Sequence, residues 1–330
     1  MDAAIRSQHS PDEVREEDLV TISAFGGVQE VRPDVARVRL LFVNAYLVGP
    51  REGPWVLVDA GLPGTTDWIL EAARARFGNR APHAIVLTHG HVDHVGALRA
   101  LTRTWDVPVL AHTLELPYIT GRSAYPPPDP TVGGGMMAKS SPLFPPGPFD
   151  FGARVEPLPE NGRVRGLPGW RWVHTPGHTP GHVALFRDAD RTLIAGDAFV
   201  TTMQESAVSA LTQRPRRVSR PPAYYTPDWD AARHSVELLS SLRPEVAATG
   251  HGDPMHGEVL RQELAILARD FEVLARPREG RYVHEHAVAD TNGVQYVPPA
   301  PGGRKRRVPL GVAVGAAALG WWWWRSRRGA

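Results

Sequence analysis

Residues 88–94 read THGHVDH, and they follow without a break on the apolar run AIVL at 84–87. A run of that length and β-branched content suits a buried strand. Three imidazoles and a carboxylate at the end of such a strand constrain the fold more than any other stretch of the chain. Buried polar groups need compensation, and a bound cation supplies it. On extended backbone alternate side chains share a face, so His89 and His91 can grip one ion. As the chain turns toward a helix, Asp93 and His94 swing toward a second position. With 14 His in 330 residues, the pattern HxHxDH arises by chance in about one such chain per thousand, so a surface accident is the poorer account.

There is no cysteine, which removes disulfides, thiolate ligands and cysteine nucleophiles. Any transition metal therefore rests on His, Asp, Glu or water. The formal net charge of +2 comes from the C-terminus: seven Lys/Arg and no acid lie beyond Gly303, leaving 30 basic against 35 acidic residues before it. A mildly acidic body matches a polyanion poorly, so the expected partner is a small-molecule substrate and not nucleic acid. The first twenty residues lack a basic start followed by an apolar stretch; no secretory signal is read, and a cytoplasmic body is expected.

Four further runs, WVLVD (55–59), WRWVH (170–174), TLIAGD (192–197) and EVAATGH (245–251), also read as strands. Helical spacing at 65–78, 94–105, 231–242 and 257–274 alternates with them, which predicts an α/β layered domain. Asp197 and His251 close two of these runs, as His89 closes AIVLT. HTPGHTPGH (174–182) adds His174, His178 and His182; its prolines and glycines exclude helical pairing, so spacing leaves the choice among the three open.

Three segments fall outside this pattern. Residues 118–150 hold eight prolines and a triple glycine, so regular structure is not expected there; a lid over a pocket and a plain surface loop are both open. Residues 212–229 carry Arg214, Arg216, Arg217 and Arg220 and read as a solvated basic turn. Residues 308–324 are uncharged, end in four tryptophans and lie between RKRR and RSRR. A helix of that length spans about 25 Å, short of a roughly 30 Å hydrocarbon core, yet tryptophan beside arginine suits a membrane interface. Residues 304–330 are thus a candidate membrane-surface anchor. Truncation after Gly303 is expected to release the protein from the membrane fraction; full-length protein found wholly in the supernatant overturns the assignment.

Taken in order, VDAG (58–61), THGHVDH (88–94), HTPGHTPGH (174–182), IAGD (194–197) and TGHGDP (249–254) resemble the metallo-β-lactamase-fold hydrolases, and more closely their glyoxalase-II-like and lactonase-like branches. The resemblance runs from about Phe42 to His256. It implies a four-layer αβ/βα sandwich with metals at one edge of two sheets. The expected organisation is a flexible N-terminus (1–20), a catalytic domain (21–275), a C-terminal extension (276–303) and the basic, apolar tail (304–330). By matching positions, His89, His91 and His178 would hold one divalent ion, and Asp93, His94 and His251 a second, with Asp197 bridging them. Zinc is the expected metal, with iron or manganese as alternatives. Asp59 would orient ligands or water, and His174 and His182 would support from outside the ligand set. The implied chemistry is attack by a hydroxide shared between two ions on an ester, thioester or lactone, with Asp93 accepting a proton or aligning the nucleophile. Tyr224 and Tyr225 either face the substrate, as a tyrosine does in lactonases, or pack. The rivals are persulfide oxidation at a single iron on the same fold, a nuclease, and a metal-binding protein without catalysis.

Overall fold

Fourteen strands and nine α-helices are present in the computed structural model, which describes residues 25–301. The expected N-terminal segment 1–20 and the tail 304–330 lie outside the described residues. A first sheet holds seven strands in sequence order: β1 (Phe25–Arg32), β2 (Val35–Leu40), β3 (Val43–Val48), β4 (Val56–Val58), β5 (Ile85–Val86), β6 (Val109–Ala111) and β7 (Val155–Pro157). β1 to β4 pair antiparallel; β4 to β7 run parallel, which requires crossovers: α1 (Thr66–Phe77) from β4 to β5, α2 (Val92–Val95) and α3 (Leu98–Trp105) from β5 to β6, and the segment 112–154 from β6 to β7. After α4 (Leu116–Ile119) and α5 (Met136–Ser140), a second sheet of order β12-β11-β10-β9-β8 is built from β8 (Trp170–His174), β9 (Val183–Arg187), β10 (Thr192–Gly196), β11 (Val246–Thr249) and β12 (Met255–His256). Its helices are α6 (Ala207–Thr212), α7 (Trp229–Ser241), α8 (Gly257–Arg269) and α9 (Phe271–Leu274), and a hairpin of β13 (Val288–Asp290) and β14 (Gly293–Tyr296) follows.

The layering follows from the two-residue period of the strands. In β4, Leu57 packs outward with Ile69, Phe77, Leu98 and Leu101 of the first sheet's helices. Its neighbours Val56 and Val58 face inward, where they meet Val183, Leu185, Ile194 and Val246 of the second sheet. In β10, Ile194 faces that shared layer while Leu193 and Ala195 pack outward against Trp229, Val236 and Leu260. Both sheets are thus covered on both faces, giving the αβ/βα sandwich.

Two expected helices are each broken once. The pattern at 94–105 becomes α2 and α3, divided at Gly96 and Ala97; Gly96 lies against Pro63, where a Cβ would come within 2.1 Å of the proline nitrogen. The pattern at 257–274 divides at Asp270 into α8 and α9. The segment 118–150 departs from expectation by carrying α5 and a 3-10 turn at Ser141–Leu143. Its glycines Gly134 and Gly135 have φ of +92° and +153° and pass against Glu205, where a Cβ would approach within 2.6 and 2.4 Å. Arg220 is not a free surface cation either: its Nε donates to Glu205 at 3.1 Å, and that side chain is only 19% exposed. The C-terminal extension straps the same segment, with Tyr282 Oη donating to Pro127 O at 2.6 Å and Val294 N to Ser123 Oγ at 3.1 Å.

Trp55 is 1% exposed and stacks on Phe77 at 4.3 Å with an edge contact to Trp105, which docks α1 and α3 on the first sheet. Trp55→Ala is expected to cost about 3–5 kcal/mol, read as a lower midpoint in urea unfolding; a midpoint unchanged from wild type would exclude this docking role.

Candidate metal centre

The ends of four buried strands meet at one edge of the sandwich. β4 runs into Asp59, β5 into Thr88 and His89, β10 into Asp197, and β11 into His251. His91 stands at the start of α2, whose single turn places Asp93 and His94. The loop between β8 and β9 brings His178 in from the second sheet.

Four of the five imidazoles, those of His89, His94, His178 and His251, have Nδ1 held by protein and the other nitrogen turned inward. Asp59, held at φ 61°, accepts from Thr88 N (2.8 Å), Thr88 Oγ1 (2.8 Å) and His94 Nδ1 (2.8 Å). Thr88 Oγ1, having donated to Asp59, accepts from His89 Nδ1 at 3.0 Å. His251 Nδ1 donates to Phe42 O at 2.7 Å. His178 Nδ1 lies 3.4 Å from Thr226 Oγ1, which itself donates to Pro222 O. These bonds leave Nε2 of those four rings facing the centre, the arrangement that readies a histidine for metal, while His91 presents Nδ1.

What the lone pairs face is one another. His91 Nδ1 lies 3.0 Å from His178 Nε2, and Asp197 Oδ2 lies 3.1 Å from His251 Nε2, 3.5 Å from His178 Nε2 and 3.6 Å from His94 Nε2. His89 Nε2, His94 Nε2 and Asp197 Oδ1 are buried with no hydrogen-bond partner. Three sets of donor atoms lie within 4.8 Å of one another: His89, His91 and His178; Asp93, His94 and His251; and His89, His94 and Asp197. The third set joins one member of each of the others through Asp197. Orphaned buried acceptors on converging imidazoles and a carboxylate are what a pair of divalent cations satisfies. Gly250 keeps the space open, since a Cβ there would fall 2.1 Å from Asp197 Oδ1.

The electrostatics agree. Burial, reinforced by neighbouring imidazoles, holds His89 and His178 well below the ordinary histidine pKa and pushes His91 down to about 3. Neutral rings are the ligand form. Burial also acts downward on His94, but the carboxylates of Asp197, Asp59 and Asp93 outweigh it and raise that group well above its usual value. Asp197, which burial alone would raise, is held well below its usual range by His251 and His94. The buried anions thus demand positive charge at this spot.

The other expected residues fall into place around the seven. His182 Nε2 accepts from Asp197 N at 2.9 Å and its Nδ1 donates to Thr175 Oγ1, so both nitrogens are spent on holding the loop. His174 points away, stacked on His112 at 4.1 Å with Nε2 on Pro180 O. The Tyr225 ring lies 4.6 Å from that of His91. Tyr224 is 4% exposed and lines a hollow with Asp93; burial, then the charges of Asp93 and Glu205, hold its hydroxyl protonated.

Glu115 and Tyr125 were not legible in the sequence. Glu115 is fully buried: Oε2 accepts from Gly90 N (3.0 Å) and Tyr125 Oη, and Oε1 from Thr179 Oγ1 (2.6 Å) and Gly181 N (2.9 Å). Tyr125 Oη also meets Gly90 N at 2.9 Å, and its ring lies 4.7 Å from that of His91. One carboxylate therefore ties the loop of His89 and His91 to the loop of His178. Burial raises Glu115 to about 7 against the four hydrogen bonds. A glutamate in HTLELPY carries no mark of this role. Glu115→Ala is expected to weaken zinc affinity by roughly 10–100-fold, measured by competition with a chromophoric chelator; unchanged affinity in a folded variant refutes the coupling.

Comparison with known proteins places these features in context. A family model described as the metallo-beta-lactamase superfamily matches residues 38–251. The chain is 44% identical over 242 residues to the probable metallo-hydrolase YflN of Bacillus subtilis, covering 72% of this chain and 91% of that protein. It is 30% identical over 215 residues to the probable metallo-hydrolase YybB of the same organism, covering 65% and 83%. Among solved structures, a beta-lactamase domain protein from Burkholderia ambifaria shares the fold with a TM-score of 0.52 at 20% identity, covering 78% of this chain and 80% of that one. The Rm3 metallo-beta-lactamase does so with a TM-score of 0.51 at 22% identity, covering 76% and 94%.

Proposed function

The chain belongs to the metallo-β-lactamase superfamily, and on that footing we propose that it is a two-metal hydrolase of an ester, thioester or lactone bond. The observation that carries this reading is the pair of donor triads joined through Asp197, with inward lone pairs left unmatched. Zinc is the metal this reading expects. Bound there, two divalent ions would supply Lewis acidity toward a carbonyl and lower the pKa of water toward neutrality.

The protein's own groups have distinct parts in this scheme. Asp93, whose side chain is 18% exposed, is the most open of the seven and accepts the proton that water gives up. The Tyr224 hydroxyl donates to the oxygen on which charge develops as the carbonyl is attacked. Asp59 fixes His94, and His182 fixes the backbone of Asp197. Met137 and Phe144, from the 118–150 segment, wall the hollow beside Asp93, so that segment acts as a lid on the substrate.

A second triad around Asp93, His94 and His251 favours two ions over the single iron of a persulfide oxidase. The acidic body before Gly303 favours a small molecule over a nucleic acid. Membrane attachment remains a proposal for residues 304–330 alone: among the described residues no helix is long and apolar enough to cross a membrane.

Elemental analysis of protein purified without added metal tests the reading. About two zinc or manganese ions per chain, with turnover in an ester, thioester and lactone panel, is the expected result. Close to one iron per chain, with oxygen uptake on a persulfide, would replace it.

A further inference from the structure

Two hollows flank the candidate ligands, and Tyr225 borders both. The larger, about 290 Å³ with the space open to solvent included, lies on the Asp93 side under Phe42, Leu62, Met137 and Phe144. The smaller, about 200 Å³ on the same measure, lies on the side of His91 and His178, walled by Tyr125, Pro127, Pro227 and Tyr282. A carbonyl compound whose scissile bond sits at the ligands therefore meets an apolar-walled hollow, open to solvent, on either side.

The walls are apolar in effect as well as in composition. Neither hollow is lined by a Lys or Arg. Three of the tyrosine hydroxyls are committed to protein acceptors: Tyr125 to Glu115, Tyr282 to Pro127 O, and Tyr225 to Ser141 O at 3.4 Å. Those residues offer rings to a ligand and not hydroxyls. No Lys or Arg among the lining residues would pair an anionic group at the far end of either arm, and a buried charge without a partner is costly.

We propose that the substrate is an uncharged, open-chain ester or thioester with an apolar acyl arm and an apolar leaving-group arm, one on each side of Tyr225. This rests on the hydrolase reading above. The reaction balances as plain hydrolysis: the water oxygen bonds to the carbonyl carbon and the bond to the leaving oxygen or sulfur breaks. One water proton ends on the leaving group, and the other is released to solvent as the acid forms as carboxylate. A lactone ties its two arms into one ring and leaves one hollow unfilled, which sets open-chain compounds ahead of it.

The test uses zinc-loaded full-length protein and four compounds: 4-methylphenyl hexanoate, its analogue with a carboxylate at the acyl end, its analogue with a carboxylate on the ring, and a hexyl-substituted δ-lactone. The neutral ester is expected to have the highest kcat/KM, with each carboxylate lowering it at least tenfold. Phe144→Arg is expected to recover only the analogue whose carboxylate enters the larger hollow, at least fivefold, which assigns the arms. Preference for a carboxylated ester or for the lactone overturns the proposal and leaves the hydrolase reading standing. If no compound is cleaved, the hydrolase reading fails, and calorimetry on metal-stripped protein decides the rest. For that, the uncleavable ketone in which CH2 replaces the ester oxygen is compared with its carboxylated forms. Tighter binding of the neutral ketone by tenfold or more upholds the two-armed apolar cleft, and equal or weaker binding removes it.

Discussion

Asp197 is a carboxylate that is 2% exposed, with one oxygen unpartnered and the other facing three imidazoles. An anion in that position has few options, since desolvation opposes it and only the imidazoles of His251 and His94 offset it. Much of the surrounding structure reads as the means of keeping it there. His182 fixes its backbone, and Gly250 leaves its oxygen uncrowded. Two sheets end at the same edge so that groups from both halves can reach it. A divalent cation bound there would resolve the imbalance that the fold creates.

The support around that point is built from chains of hydrogen bonds and not from single contacts. Asp59, Thr88 and His89 form one such chain, in which each donation fixes the direction of the next. Glu115 forms another, closing two loops that lie about 90 residues apart in sequence. Rigid strands hold the ends of these chains, so the donor atoms are set before any ion arrives.

The sequence made the ligand-bearing strand ends legible because each is an apolar run that stops on a polar residue. WVLVD, TLIAGD and EVAATGH all became strands that end at the site. Strands β1 to β3 were not legible, and Arg37 and Asn44 show why. Both are fully buried inside strands and interrupt the apolar pattern. Their side-chain hydrogen bonds run to partners distant in sequence: Arg37 Nη1 to Gln213, Gly252 O and Asp253, and Asn44 Nδ2 to Thr249 O and Gly252 O. The choice among His174, His178 and His182 was likewise tertiary. A stacking partner turns the first away and the backbone of Asp197 claims the third.

All seven candidate ligands lie within residues 38–251, the stretch shared with the superfamily, whereas Tyr282 lies beyond it. That residue reaches back to wall the hollow beside His91 and His178 and to pin Pro127. One wall of that hollow thus lies outside the stretch shared with the superfamily and can drift at its own rate. Kinship in the shared stretch carries the scaffold and its cluster of donors; it leaves that wall free to vary.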